Sequence, residues 1–350
     1  MTSGPPNGEA LPLLDIAAFR AGDRSGAAAT VTALRAACHG PGFFLVTGHG
    51  IAAAQCAAVL DASREFFALP DDDKLAIENV RSPQFRGYTR IGAEQTNGRP
   101  DWREQLDLGA ERETREPGPG EPPYWRLQGP NQWPPAFPRL REVLLPFIGA
   151  LQSLALDLMR AFALSLGQPE GHFDPTFGVE PTSHLKVIRY PGREADRDGA
   201  SQGVGAHKDY GYLAILLQDD TGGLQVAAPR GSGAAGFLDA APVEGALVCN
   251  TGEMFEVATR GYYRATVHRV VSPPPGRERI SVPYFFAPRL DARLEPVTLP
   301  AELAADAPVS LPSDPGNPIF AEYGTNALKG WLRSHPEVAR RHWSDLVRTP

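Results

Sequence analysis

From Ser183 onward the chain is cut into short strand-like runs, SHLKVIRY, GYLAILLQ, GGLQVA, GALVCNTGEMFEVAT, ATVHRVVS and RISVPYFFAP, with glycine and proline between them. Strands this short and this many must stack in two sheets or close into a barrel. The helical patterns lie mostly upstream. The expected fold is therefore α+β with a mostly β core, a jelly roll over about 183–290 flanked by N-terminal and C-terminal helices. The 36 glycines and 35 prolines agree with a turn-rich chain, and the absence of a Gly-X-Y period excludes collagen.

Upstream, LPLLDI reads as a strand, Ala27 to Cys38 as a helix, and GFFLVTGHGI as a second strand. DASREFF continues in helical spacing, and the acidic triplet at Asp71 opens another helix at its positive end. These pieces make an α/β cap over 10–110. Residues 109–138 are crowded with Pro, Gly and Glu and read as a surface excursion. Leu140, Val143, Leu144, Phe147, Leu151, Leu154, Leu158 and Phe162 then keep helical spacing, with Pro146 expected to kink the helix and Gly167 to end it. Residues 318–347 return to helix, and nothing resembling a linker divides 1–350 into independent domains.

A chain with 42% hydrophobic and 21% charged residues is not globally disordered. Its net charge of −7, with no basic stripe, argues against a nucleic-acid partner. We expect no membrane partner, since no apolar run approaches the roughly 18 residues needed to span a bilayer. MTSGPPNGEA lacks the basic-then-apolar order of a secretion signal, so a cytoplasmic protein is expected. Cys38, Cys56 and Cys249 sit far apart in apolar stretches and read as buried hydrophobes in a reducing compartment. The lysines are Lys74, Lys186, Lys208 and Lys329 alone, which makes the placement of each informative.

The chemistry concentrates in GAHKDYGY. If that stretch is extended, His207 and Asp209 point to one face and Lys208 to the other. His268 lies on another expected strand, and two histidines with one carboxylate form the facial set that holds non-haem Fe(II) with open positions. Alone, the tripeptide reads equally as a surface turn or a hydrogen-bonded core pair. Arg279 and Ser281 strengthen the case, being two apart on the strand after His268: a guanidinium fork beside a hydroxyl suits a carboxylate. Arg279 enters an apolar strand, where an unpaired charge is costly, so an anionic partner is expected.

In this order and spacing, His207-x-Asp209, His268 and Arg279-x-Ser281 resemble the isopenicillin N synthase-like branch of the Fe(II)/2-oxoglutarate oxygenases. The likeness runs from about Leu11 to the C-terminal helices and takes in PLLDI, GFFLVTGHGI, IRYPG, DYGYLAILLQDDTGGLQV and CNTGEMFEVATRGYYRATVHRV. It implies a double-stranded β-helix with Fe(II) on His207, Asp209 and His268, and 2-oxoglutarate on Arg279, Ser281 and Tyr190. It also implies O₂ as oxidant and a small-molecule, secondary-metabolic substrate. The implied reaction is hydroxylation by default, with desaturation or cyclisation as variants, and it releases succinate and CO₂. Plant members usually carry Asn two residues before the tyrosine, whereas Ile188 stands here, so one cosubstrate hydrogen bond is absent or supplied differently. Relatives that use no 2-oxoglutarate share Arg-x-Ser, which leaves an Fe(II) oxidase of the same fold as the alternative. A zinc hydrolase would not need the Arg-x-Ser anchor, and a cupin-like binding protein would ordinarily have lost a ligand or the anchor.

Around this set, Lys186 shares a strand face with Tyr190 and is expected to meet a substrate carboxylate or an internal acid. Phe285, Arg86 and Tyr88 are further candidates for the substrate space, each with core packing or an exposed hairpin as the plainer reading. His184 reads as a core or pocket histidine, and Asp101, Trp102 and Glu104 as structural. We expect a monomer or a weak homodimer.

Overall fold

The computed structural model describes residues 10–96, 98–178, 181–194, 202–228, 236–308 and 316–347. The upstream strands are β1 (Leu13–Asp15), β2 (Phe43–Thr47), β3 (Gly87–Thr89), the hairpin β4 (Gln95–Thr96) with β5 (Arg99–Pro100), and β6 (Glu104–Gly109). The downstream set is β7 (His184–Pro191), β8 (Gln202–His207), β9 (Leu213–Gln218), β10 (Leu224–Ala227), β11 (Phe237–Asp239), β12 (Leu247–Thr251), β13 (His268–Val271) and β14 (Glu278–Phe286).

Two sheets carry the fold. The larger runs β1-β2-β12-β9-β14-β7-β6-β3 and the smaller β11-β10-β13-β8. Every pairing is antiparallel except β1 with β2. The jelly roll is the packing of β12-β9-β14-β7 on the smaller sheet. The cap strands β1, β2, β3 and β6 extend the larger sheet on both sides, so cap and core share one ladder.

Strand alternation divides the apolar residues between two cores. On β14, Ile280, Val282, Tyr284 and Phe286 face the helices; on β7, Leu185 and Val187 do the same. Ile188, Tyr190 and Val248 instead meet Val204, Leu224, Val226 and Val270 of the smaller sheet. The strands thus bury both faces, which is why they read as near-continuous apolar runs.

The helix Arg139–Ser165 runs through Pro146 and buries Leu140, Leu144, Phe147, Leu151, Leu154, Leu158 and Phe162. It packs against the helices Arg24–His39 and Ala53–Phe67. Gly167 beyond its end adopts φ +72°, as expected of a terminating glycine. One expectation needs correction: by length and composition alone this helix, with a window of mean hydropathy 1.5, could cross a membrane. The same apolar positions line its contact with the neighbouring helices.

A second correction concerns GALVCNTGEMFEVAT. Only Leu247–Thr251 is strand, and Glu253–Ala258 turns into a short helix. Helices Tyr323–Ser334 and Pro336–His342 close the C-terminal region as expected.

Candidate metal centre

His207 is the last residue of β8 and Asp209 follows two residues on, in the turn that leads to β9. His268 opens β13 and lies across the ladder from His207. The ligand atoms of His207, Asp209 and His268 all lie within 4.8 Å of one another. Asp209 Oδ1 is 3.7 Å from His207 Nε2, and Oδ2 is 3.8 Å from His268 Nε2. Both distances are too long for a hydrogen bond, and both leave room for an ion between the atoms.

The imidazoles are oriented from behind. His207 Nδ1–H donates to the Gly205 carbonyl at 2.8 Å and His268 Nδ1–H to that of Thr266 at 3.2 Å, which leaves each Nε2 lone pair facing Asp209. Burial, together with the neighbouring His268, pushes the His207 pKa down to about 4. Its imidazole is therefore neutral near pH 7, the form that ligates metal.

Asp209 is gripped by the segment after β12. Asn250 Nδ2 donates to Asp209 Oδ2 at 2.7 Å, and the Glu253 amide donates to the Asp209 carbonyl at 2.8 Å. Gly252 permits this approach, because a Cβ there would come within 2.3 Å of the Gly211 carbonyl oxygen. Asn250 escaped the sequence reading. Its only signal was a polar residue at an inward position of an apolar strand.

Arg279 and Ser281 project from the inward face of β14, with Ile280 and Val282 on the helix-facing side. Arg279 is 1% exposed; its Nη2 donates to Gln218 Oε1 at 2.9 Å, while Nε and Nη1 have no hydrogen-bond partner among the described residues. Burial lowers its pKa. A buried guanidinium with two unpaired nitrogens calls for an anion, and a carboxylate supplies matching acceptors. Ile188 lies across the ladder from Ser281 and adds an apolar wall to the cavity.

A cavity of about 490 Å³ joins these groups, running from the His207–Asp209–His268 cluster to Arg279, Ser281 and Tyr190 and on to His184, Phe285 and Trp331. Phe285 lines it and stacks on His184 with ring centroids 4.6 Å apart. Lys186 also lines it, but its charge is met inside the protein: Nζ lies 3.2 Å from Glu94 Oε1 and 3.2 Å from Asp107 Oδ1. Glu94 is held in turn by Arg103 at 2.9 Å.

Arg86 and Tyr88 are not among the cavity residues, contrary to the expectation that they contact substrate. Tyr88 sits on β3, two strands beyond β7, where its hydroxyl donates to Glu104 at 2.5 Å in the core. Arg86 is buried beneath Trp331, 5.9 Å from the ring centre, and lies against the Gly109 backbone. The neighbouring Glu94, Gln95 and Thr96 reach the cavity instead. Asp101 is structural, accepting from Thr96 and from the Gly205 amide, and Glu104 is likewise fixed by Lys74 and Arg189.

A two-histidine, one-carboxylate cluster within a jelly roll is the donor set of the non-haem Fe(II) oxygenases, and the buried guanidinium beside it suits an acidic cosubstrate. Residues 11–136 match the family described as non-haem dioxygenase in morphine synthesis N-terminal, and residues 182–288 match the 2OG-Fe(II) oxygenase superfamily. The chain is 33% identical to the 2-oxoglutarate-dependent dioxygenase frbJ of Dothideomycetidae sp., over 95% of this chain and 92% of that one. It is 37% identical to a rice homoarginine-6-hydroxylase, over 75% and 78% of the two chains. Among solved structures, a full-length Neurospora crassa protein in complex with alpha-KG and thymine superposes with a TM-score of 0.72 at 25% identity, covering 97% of this chain and 99% of that one. The protein belongs to the Fe(II)/2-oxoglutarate-dependent oxygenase family, and it is an oxygenase that uses Fe(II), 2-oxoglutarate and O₂ on a small molecule.

Proposed function

We propose that His207, Asp209 and His268 hold the iron, and that Arg279, Ser281 and Tyr190 hold the far carboxylate of 2-oxoglutarate, for hydroxylation of a small molecule in the same cavity. The supporting observation is that the three converging ligand groups share one cavity with Arg279 nitrogens that have no hydrogen-bond partner among the described residues. Iron and cosubstrate would supply the oxidising chemistry: one oxygen atom of O₂ enters the substrate and the other enters succinate, with loss of CO₂. The chain's own part is to fix the ligands, anchor the cosubstrate and exclude water. Anaerobic and aerobic incubations with 2-oxoglutarate, followed for succinate, test this reading. Succinate that does not require O₂ and Fe(II) would reject it.

The substrate reading we favour is a molecule carrying a carboxylate, and Arg333 supports it better than Lys186 does. Among the charged cavity residues, Glu94, Arg103, Lys186 and Lys208 each have an opposite charge within the protein. Arg333, exposed at the end of the Tyr323–Ser334 helix, has no ion pair or hydrogen bond among the described residues. Pairs of small carboxylic acids and their methyl esters, compared for substrate-stimulated succinate release, decide the matter. Equal stimulation by the esters, or unchanged preference in Arg333→Glu, would refute it. A cytoplasmic location and a monomeric or weakly dimeric state complete the proposal, checked by cell fractionation and sedimentation.

A further inference from the structure

We infer that Glu256 is a positioning residue that ties the two metal-binding segments to each other, a role that rests on the metal reading of His207, Asp209 and His268. Glu256 belongs to the Glu253–Ala258 helix, whose first amide already holds the Asp209 carbonyl. Its Oε2 accepts from Lys208 Nζ at 2.8 Å, and Lys208 is the residue between the two ligands of the HKD turn. Its Oε1 accepts from the Ala265 amide at 3.1 Å, three residues before His268. One carboxylate therefore spans the turn that carries His207 and Asp209 and the approach to the strand that carries His268.

An ordinary surface ion pair is worth about 1 kcal/mol or less and leaves ligand geometry alone. This one differs in where its two ends are attached. The Lys208 and Glu256 side chains are 30% and 17% exposed, so the contact is partly shielded. The Ala265 amide takes the second oxygen and fixes the carboxylate plane. Removing Glu256 frees the HKD turn and deprives the Ala265 amide of its acceptor in the same step. The hydrogen bonds on the individual ligands remain, but the two segments that carry them lose their common tie, so part of their mutual placement falls to the metal and affinity drops. Lys208, whose ammonium is taken up by Glu256, gains a reason for its place between two ligands in so lysine-poor a chain.

The test measures metal affinity of the full chain without turnover, by anaerobic titration of Fe(II) and by Mn(II) binding followed by electron paramagnetic resonance. Loss of an outer hydrogen-bonding partner of this kind typically weakens metal binding about 10- to 100-fold. That range is expected for Glu256→Ala and for Lys208→Met, with the double variant no weaker than the worse single. Glu256→Gln, which keeps an acceptor for Ala265, should fall between these and the wild type. Should Glu256→Ala fail to fold, Glu256→Gln and Lys208→Met decide alone. Affinities within twofold of wild type in both, with only a lower melting temperature, would make this a stabilising ion pair and overturn the inference. His207→Ala serves as the control: if it binds metal as well as the wild type does, the metal assignment fails, which is a different result from failure of the tether.

Discussion

Tyr190 lies directly across the β7–β14 ladder from Arg279, and the guanidinium carbon stands 5.1 Å from the centre of its ring. The ring covers one side of the guanidinium and Gln218 takes one nitrogen, so the remaining N–H groups have a fixed direction before any ligand arrives. Such preorganisation favours a planar acceptor over a spherical one.

Arg279→Gln should therefore weaken 2-oxoglutarate binding by about 1.5–3 kcal/mol, or roughly ten- to more than a hundredfold. Arg279→Lys should recover little of this, since a point charge lacks the fork. Anaerobic titration of the Fe(II)-loaded protein with 2-oxoglutarate provides the measurement. An unchanged affinity in Arg279→Gln would place the cosubstrate elsewhere.

Replacing His207, Asp209 or His268 with Ala should abolish stoichiometric Fe(II) binding while the far-ultraviolet circular dichroism stays that of the wild type. The fold is expected to survive because these groups line a cavity and carry none of the apolar core. Retention of tight Fe(II) binding in all three variants would refute the assignment.

Lys186→Met should lower unfolding stability by about 3–5 kcal/mol, because it leaves Glu94 and Asp107 buried with one cation fewer. Urea denaturation reads this directly. A variant of unchanged stability but raised substrate KM would instead return Lys186 to substrate recognition.

Stability should fall as the pH drops below about 6.5. Burial, then the charges of Lys186 and Arg86, hold the His184 pKa well below its ordinary value, and burial lowers that of His335 too. In the unfolded chain both take up protons near pH 6.5, whereas the folded protein binds them only at lower pH. The unfolded state thus binds more protons below that point, and acid draws the equilibrium toward it. Glu94 adds a second loss further down: burial opposes its charge, but Arg103 and Lys186 prevail and hold its carboxyl below the usual range. Melting temperatures of the metal-free protein between pH 8 and pH 5 test this, with His184→Phe expected to flatten the profile. A flat wild-type profile would contradict the buried neutral histidines.

The clustering of His207, Asp209 and His268 and the shared inward face of Arg279 and Ser281 were legible because residue spacing encodes a side of the sheet, and β14 keeps that alternation from Arg279 to Phe285. Tyr88 and Arg86 were misread because position along the chain does not say which flank of a wide sheet a short strand will join, and β3 joins the far one. EMFEVA looked like strand because Met254, Phe255, Val257 and Ala258 are apolar; in the structure it is a short helix whose first amides are taken up by the distant Asp209 and Tyr210 carbonyls. Asn250 went unseen for the same reason, since its partner lies 41 residues away. The pairing of Lys186 with Glu94 likewise spans 92 residues, so the sequence could offer an internal acid only as one of two readings.

The strand that brings His207 to the site lies at one edge of the smaller sheet. Among the described strands β8 is an edge, and its ladder with β13 slips register between His268 and Val270. Gly203 and Gly205 add no side chains of their own, the first because a Cβ would come within 2.8 Å of the Tyr190 ring. Val204 is its one residue in the core between the sheets. Local opening is cheapest where few apolar contacts hold a backbone. In the metal-free protein the β8 amides should therefore exchange with deuterium before those of β9 or β14, and metal loading should slow them by a far larger factor than it slows the rest of the barrel. A bound ion would act there as a rivet between an edge strand and its neighbour.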